Sequence, residues 1–262
     1  NHLWRYTLEQ TLEHIAKLKF RVIELMTTPP HAWPGDLNMK KRDDLCGLLG
    51  SYGLEVKALN PTYGDLNLAS PRPTVRRLTV EELKEQIKLA RDISAEIVAV
   101  VAGTGHLVGT PSIEMIWNYA KDGIIECAKF AEDHGVVIGL ECAPYRFIEK
   151  AEQLKRMINE VGSESVKAVF DTSNSCVRES PLSAIETLGD LIVHVHLADN
   201  DCKTWRKLPI GMGAIDFAAV AKALESIKFR GVSVIELWWP EEDPDSGVAV
   251  SKERLEAVGW SA

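Results

Sequence analysis

Short apolar runs recur along the chain with room for a helix between most of them. They are FRVIELM (20–26), LEVKALN (54–60), EIVAVVAG (96–103), VVIGLEC (136–142), VKAVFD (166–171), LIVHVHLAD (191–199) and VSVIEL (232–237). Each has the length of a strand, and both faces of most are largely apolar. Between them, TLEQTLEHIAKL (7–18), TVEELKEQIKLARDI (79–93), MIWNYAKDGIIECAKFAEDH (115–134) and FAAVAKALESI (217–227) read as helices. The last carries the three-to-four spacing of an amphipathic helix. A glycine in YGL, HGV and FRGV falls between a helix and the next strand, the usual helix C-terminal position.

Strand–helix alternation without a linker predicts a parallel α/β barrel in one domain spanning residues 1–262. A chain of 262 residues suits that architecture. Seven strands are visible and an eight-stranded barrel needs one more. The opening NHLWRY, directly before a helix, reads as the tail of a first strand whose start precedes this numbering. A seven-stranded or open doubly wound sheet is the alternative. No GxGxxG or Walker-type loop supports nucleotide binding in such a sheet.

The connections are unequal. Those from helix to strand are short. Those from strand to helix are long and rich in polar or aromatic residues: 27–38, 60–77, 103–112 and 200–216. In a parallel barrel these loops share the face at the C-terminal ends of the strands, where such enzymes keep their sites.

Four strand ends carry chemistry there. VVIGLE ends on Glu141, VKAVFD on Asp171, LIVHVH reaches His196 and VSVIE reaches Glu236. Alternation puts Glu236 on the face of Val232 and Val234, Glu141 on that of Val137 and Gly139, and Asp171 on that of Val169. A carboxylate at one strand end is ordinarily a helix cap or a solvated loop residue, and Asp171 has that reading too. Their recurrence on four consecutive strands favours a shared site. Three carboxylates and one imidazole form an oxygen-rich set suited to one Mn, Mg or Co ion rather than structural zinc. Without a cation such carboxylates would raise one another's pKa.

Bulk properties narrow the partners. The net charge of -8 disfavours a sequence-independent grip on nucleic acid. No apolar run approaches the roughly 20 residues that span a bilayer, and no signal peptide opens the chain. Five separated cysteines without a CxxC pair read as reduced thiols of a cytoplasmic protein.

The order Glu, Asp, HVHLAD, GMGAIDF (211–217) and VIEL resembles the xylose isomerase-like TIM barrels, the sugar phosphate isomerase/epimerase superfamily. That group includes ketose 3-epimerases, hydroxypyruvate isomerase, inosose dehydratase and endonuclease IV. The resemblance covers nearly the whole chain and is strongest from Gly139 to Leu237. It implies metal ligands at Glu141, Asp171, His196 and Glu236, with Glu141 and Glu236 as the acid/base pair. Many members have Asp-x-x-His on the Asp171 strand, whereas the fourth position here is Asn174. Asn cannot carry a proton at neutral pH, so a trinuclear cluster of the endonuclease type is disfavoured and a one-metal site survives.

The expected function is isomerisation or epimerisation of a sugar-like hydroxy-ketone through an enediolate. The alternatives are a dehydratase or lyase of inosose or dehydroshikimate type and a non-catalytic sugar-binding barrel. Substrate contacts are expected from Asn174, His106, Asn60, Glu24, Arg206 and Trp238. Trp33, Trp239 and Lys207 are further pocket candidates, Lys207 for a phosphate or carboxylate. His194 reads as a core residue or a support for His196. A homodimer or homotetramer is compatible with all of this.

Overall fold

The computed structural model describes residues 6–61, 64–105, 112–238 and 244–260. Among the described residues seven strands form one sheet: β1 (Val22–Met26), β2 (Glu55–Asn60), β3 (Ile97–Val101), β4 (Val137–Glu141), β5 (Val166–Asp171), β6 (Ile192–Leu197) and β7 (Val232–Ile235). Their spatial order is their chain order, and every neighbouring pair is parallel. Helices α1 (Leu8–Lys17), α2 (Met39–Tyr52), α3 (Pro73–Asp92), α4 (Ile113–His134), α5 (Ala151–Val161), α6 (Thr172–Cys176), α7 (Pro181–Leu188), α8 (Phe217–Ser226) and α9 (Pro244–Ala257) alternate with the strands.

The sheet curls until β7 and β1 come into contact, so seven strands nearly close a barrel. A cavity of about 960 Å³ lies along this seam and is lined by Ile23, Glu24, Val232, Val234 and Glu236. The segment read as a first strand, NHLWRY, lies outside the described residues except for Tyr6.

Local chemistry explains the element ends. Thr7 and Gln10 form a reciprocal capping box at α1, and the Asn38 side chain accepts the Lys41 N–H at the start of α2. Gly53 and Gly135 end α2 and α4 in the left-handed conformation. Helix α3 begins at Pro73, six residues before the periodicity suggests, because proline is well suited to the first helical turn. The glycine of FRGV has a different role from the other two. Helix α8 has already ended at Ser226, and a Cβ at Gly231 would stand 2.0 Å from the Val193 carbonyl oxygen. Gly231 therefore lets the chain enter β7 tight against β6.

The core joins strand residues Leu59, Leu140, Phe170 and Val195 to Ile87, Leu89, Ile124, Leu154, Met157, Ile185 and Leu188 from the helices. Burying each such side chain stabilises the fold by about 1.5–3 kcal/mol. Among the described residues no helix is long and apolar enough to cross a membrane.

Candidate metal centre

The register of β4, β5 and β6 sets the heights of the functional side chains. Asp171 pairs with His196, and Glu141 pairs with Val169, one layer below Asp171. Glu236 follows β7 directly, its N–H bonded to the Leu197 carbonyl. Glu141, Asp171, His196 and Glu236 each offer one ligand atom, and these atoms lie within 4.8 Å of one another. All four residues are buried.

His196 shows how the cluster is oriented. Its Nε2 lies 2.9 Å from Glu24 Oε2 in the middle of β1, and the same oxygen is 3.0 Å from Nε2 of His194. Asn60, at the end of β2, donates to the other Glu24 oxygen at 2.7 Å. Glu24 thus holds the outer ring nitrogen, as carboxylates do behind metal-binding histidines. His196 Nδ1 then faces Glu236, Glu141 and Asp171 oxygens at 2.9, 3.6 and 3.8 Å. Three buried carboxylates and a ring nitrogen aimed among them fit a hard divalent cation.

Asp171 serves two purposes. Its Oδ1 accepts the Asn174 N–H at 2.7 Å, capping the short helix α6, while Oδ2 faces the cluster. Asn174 donates through Nδ2 to Glu141 Oε1 at 2.7 Å and accepts the Trp205 indole N–H at 2.7 Å. The Asn174 amide therefore spans one glutamate and one loop tryptophan.

Lys207 is buried, and its ammonium contacts both Asp171 Oδ2 and Glu236 Oε2. The sequence suggests a substrate anion as its partner, but its partners here are the protein's own carboxylates. Neighbouring Arg206 is exposed; its carbonyl accepts from Ser173 and from Asn200, the latter at 2.8 Å. Trp238 is 44% exposed and packs edge-on against Trp205, with ring centroids 4.9 Å apart. Trp33 donates to Glu82, away from the cluster. His106 and Trp239 lie outside the described residues. Trp205 does not stand out in the sequence. Its only local signal is an aromatic in a long polar loop.

The electrostatics divide the cluster. Burial raises Asp171, Glu141 and Glu236 add to it, and Lys207 opposes, leaving Asp171 pushed up to about 6. Burial acts the same way on Glu236, but Lys207 and His196 outweigh it and hold that carboxyl well below its ordinary range. Burial disfavours charge on His196, yet Glu24, Glu236 and Glu141 raise it above the usual imidazole value. Glu24 is lowered despite burial by His196 and His194.

Asp199 gives the HLAD and GMGAIDF segments a joint meaning. Its Oδ2 accepts the N–H groups of Gly211 and Gly213, both at 2.8 Å, and its Oδ1 accepts those of Asn200 and Ile215. One buried carboxylate thereby folds the loop that delivers Lys207.

Parallel strands, surrounding helices and a polar cluster at the strand ends define an α/β barrel with its site at the C-terminal face. The profile of the xylose isomerase-like TIM barrel family matches residues 12–258, and the chain belongs to that family. An uncharacterised protein of Methanocaldococcus jannaschii is 30% identical over 236 residues, covering 88% of this chain and 79% of its own. Fructoselysine 3-epimerase of Shigella flexneri is 23% identical, with 89% of this chain and 86% of that protein covered. The crystal structure of a D-tagatose 3-epimerase-like protein superposes with a TM-score of 0.87 at 27% identity, covering 97% of this chain and 94% of that one.

Proposed function

We propose that the protein is a divalent-metal-dependent epimerase or isomerase acting on a ketose or a ketose-like sugar derivative. The observation that carries this reading is the convergence of Glu141, Asp171, His196 and Glu236 on one point at the strand ends. Relatives named as 3-epimerases of fructoselysine and a tagatose 3-epimerase-like protein support it. Mn is the expected ion, with Mg or Co as substitutes, held by those four residues. The ion would supply Lewis-acid polarisation of a substrate carbonyl.

The protein's own groups account for the proton transfers. Glu141 closes β4 and Glu236 follows β7, so the two carboxylates reach the centre from different sides. A C–H beside a ketone, presented between them, loses its proton to one glutamate and gives an enediolate. Return of a proton from the other glutamate to the opposite face inverts that carbon. Glu141 and Glu236 share the roles of base and returning acid. Asn174 fixes Glu141 through Oε1 and Trp205 through its indole. The Trp205 and Trp238 rings form an aromatic wall on which the C–H face of a sugar can pack. Substrate contacts by Asn60, Glu24, His106 and Arg206 are part of the same reading, as are a cytoplasmic setting, a single-domain chain and a homodimer or homotetramer.

Incubation with Mn and a panel of free ketoses, ketose phosphates and amine-substituted ketoses, resolved by chromatography and NMR, tests the proposal. Conversion of at least one compound to an isomer of unchanged formula, abolished by EDTA and restored by Mn, is the expected result. Full activity in EDTA, or loss of water as the sole reaction, contradicts it.

A further inference from the structure

Lys207 is not a loose loop side chain. Its carbonyl accepts the Trp238 N–H at 2.9 Å, and the next residue, Leu208, pairs with Asp199 in a two-way backbone bridge. On the other side, Ser173 and Asn200 hold the Arg206 carbonyl. With backbone anchors on both flanks, the side chain is aimed into the cluster, where it is 2% exposed. Its ammonium touches Asp171 Oδ2 and Glu236 Oε2. Those same two oxygens face His196 Nδ1 at 3.8 and 2.9 Å. The ammonium and a metal ion held by the four-residue set would therefore share two donor atoms. Two cations on shared oxygens in a buried site repel strongly.

We propose that Lys207 is an internal competitor for the metal seat, so that loading the ion is coupled to withdrawal of the Lys207 ammonium from Asp171 and Glu236. This rests on the metal-site reading above. The Trp238 ring, whose centroid is 5.5 Å from Nζ, offers the withdrawn ammonium a cation–π seat at the exposed rim. Withdrawal places a positive charge beside the Trp205–Trp238 pair. The competition lowers metal affinity below what three carboxylates and a histidine would give alone, which makes the ion exchangeable.

Two measurements test this. In the first, chelator-stripped wild type, Lys207→Met, Lys207→Gln and Asp171→Asn are titrated with Co²⁺ by calorimetry and visible absorption. Removing a like charge from beside the ion should tighten Co²⁺ binding about tenfold or more in the Lys207 variants, while Asp171→Asn weakens it. Lys207 variants that bind no tighter than wild type overturn the competition and, with Asp171→Asn still weakened, leave the metal site standing. Absence of stoichiometric binding in wild type and Lys207 variants alike overturns both. The second needs no variant and decides the matter if the Lys207 variants do not fold. Amine acetylation of wild type is followed by mass spectrometry with and without saturating Mn²⁺, using exposed Lys40 as the reference. Metal should accelerate modification of Lys207 relative to Lys40; an unchanged or slower rate overturns the proposal.

Discussion

Glu141 and Glu236 belong to the same ring of strand ends, but the molecule holds them differently. On the Glu141 side the carboxylate receives the amide of Asn174, which is tied in turn to the Trp205 indole, and lies 3.6 Å from His196 Nδ1. The Glu236 side is cationic: its carboxylate meets the Lys207 ammonium and lies 2.9 Å from His196 Nδ1. An amide fixes a carboxylate without deciding its protonation, whereas an ammonium strongly favours the ionised form. Chemically similar acids on one scaffold thus have different neighbours, an amide at Glu141 and an ammonium at Glu236.

Glutamine substitutions should expose the difference most strongly. Glu236→Gln and Glu141→Gln should each lower kcat by at least about 10²-fold, the low end for loss of a general acid or base. The variants should part in stability. In Glu141→Gln the new side-chain carbonyl can still accept from Asn174, whereas Glu236→Gln removes one of two anions from a buried ammonium. A larger fall in Tm for Glu236→Gln is expected by differential scanning calorimetry; equal falls would erase the contrast.

The next effect should come from behind His196. Glu24→Gln removes the anion shared by His194 and His196, and metal affinity should drop about 10- to 100-fold, as it does when supports of metal-binding histidines are lost. Calorimetric titration with Mn²⁺ reads this directly. Asp171→Asn should also act through metal occupancy. Because Asn caps a helix as well as Asp, the start of α6 should survive, and added Mn²⁺ should recover part of the activity. Activity that stays low at saturating metal would give Asp171 a role in the chemistry itself.

The smallest effect is expected at Asn174. Asn174→Ala removes one donor to Glu141 and one acceptor for Trp205, a cost of about 1–3 kcal/mol in stability. Chemical denaturation measures it, and metal affinity should change far less than in Glu24→Gln.

Much of the scaffold is legible in the sequence because it is written locally. Apolar runs between glycines and amphipathic helices locate all seven strands to within a few residues, and each site acid directly ends or follows such a run. The start of α3 is harder to read, because Arg76, Arg77 and Leu78 carry no apolar stripe and only Pro73 marks the first turn. The orientation of Lys207 is not legible. It depends on Asp199 gathering four N–H groups and on Trp238 pinning the Lys207 carbonyl, contacts that join residues far apart in the chain. Glu24 shows the same limit. The pattern places it on β1 but cannot show that two histidines 170 and 172 residues away converge on one of its oxygens.

Reversible transfer of a carbon-bound proton between Glu236 and Glu141 is the step on which the proposed activity depends. Mass spectrometry of product formed with Mn²⁺ in D₂O tests it most directly. An isomer of unchanged formula gaining about one dalton is expected, since a carboxylate base exchanges its proton with solvent before returning it. A product lighter by one water would point to elimination instead, and tight sugar binding with neither label nor turnover, whatever divalent metal is supplied, would contradict the enzyme reading altogether.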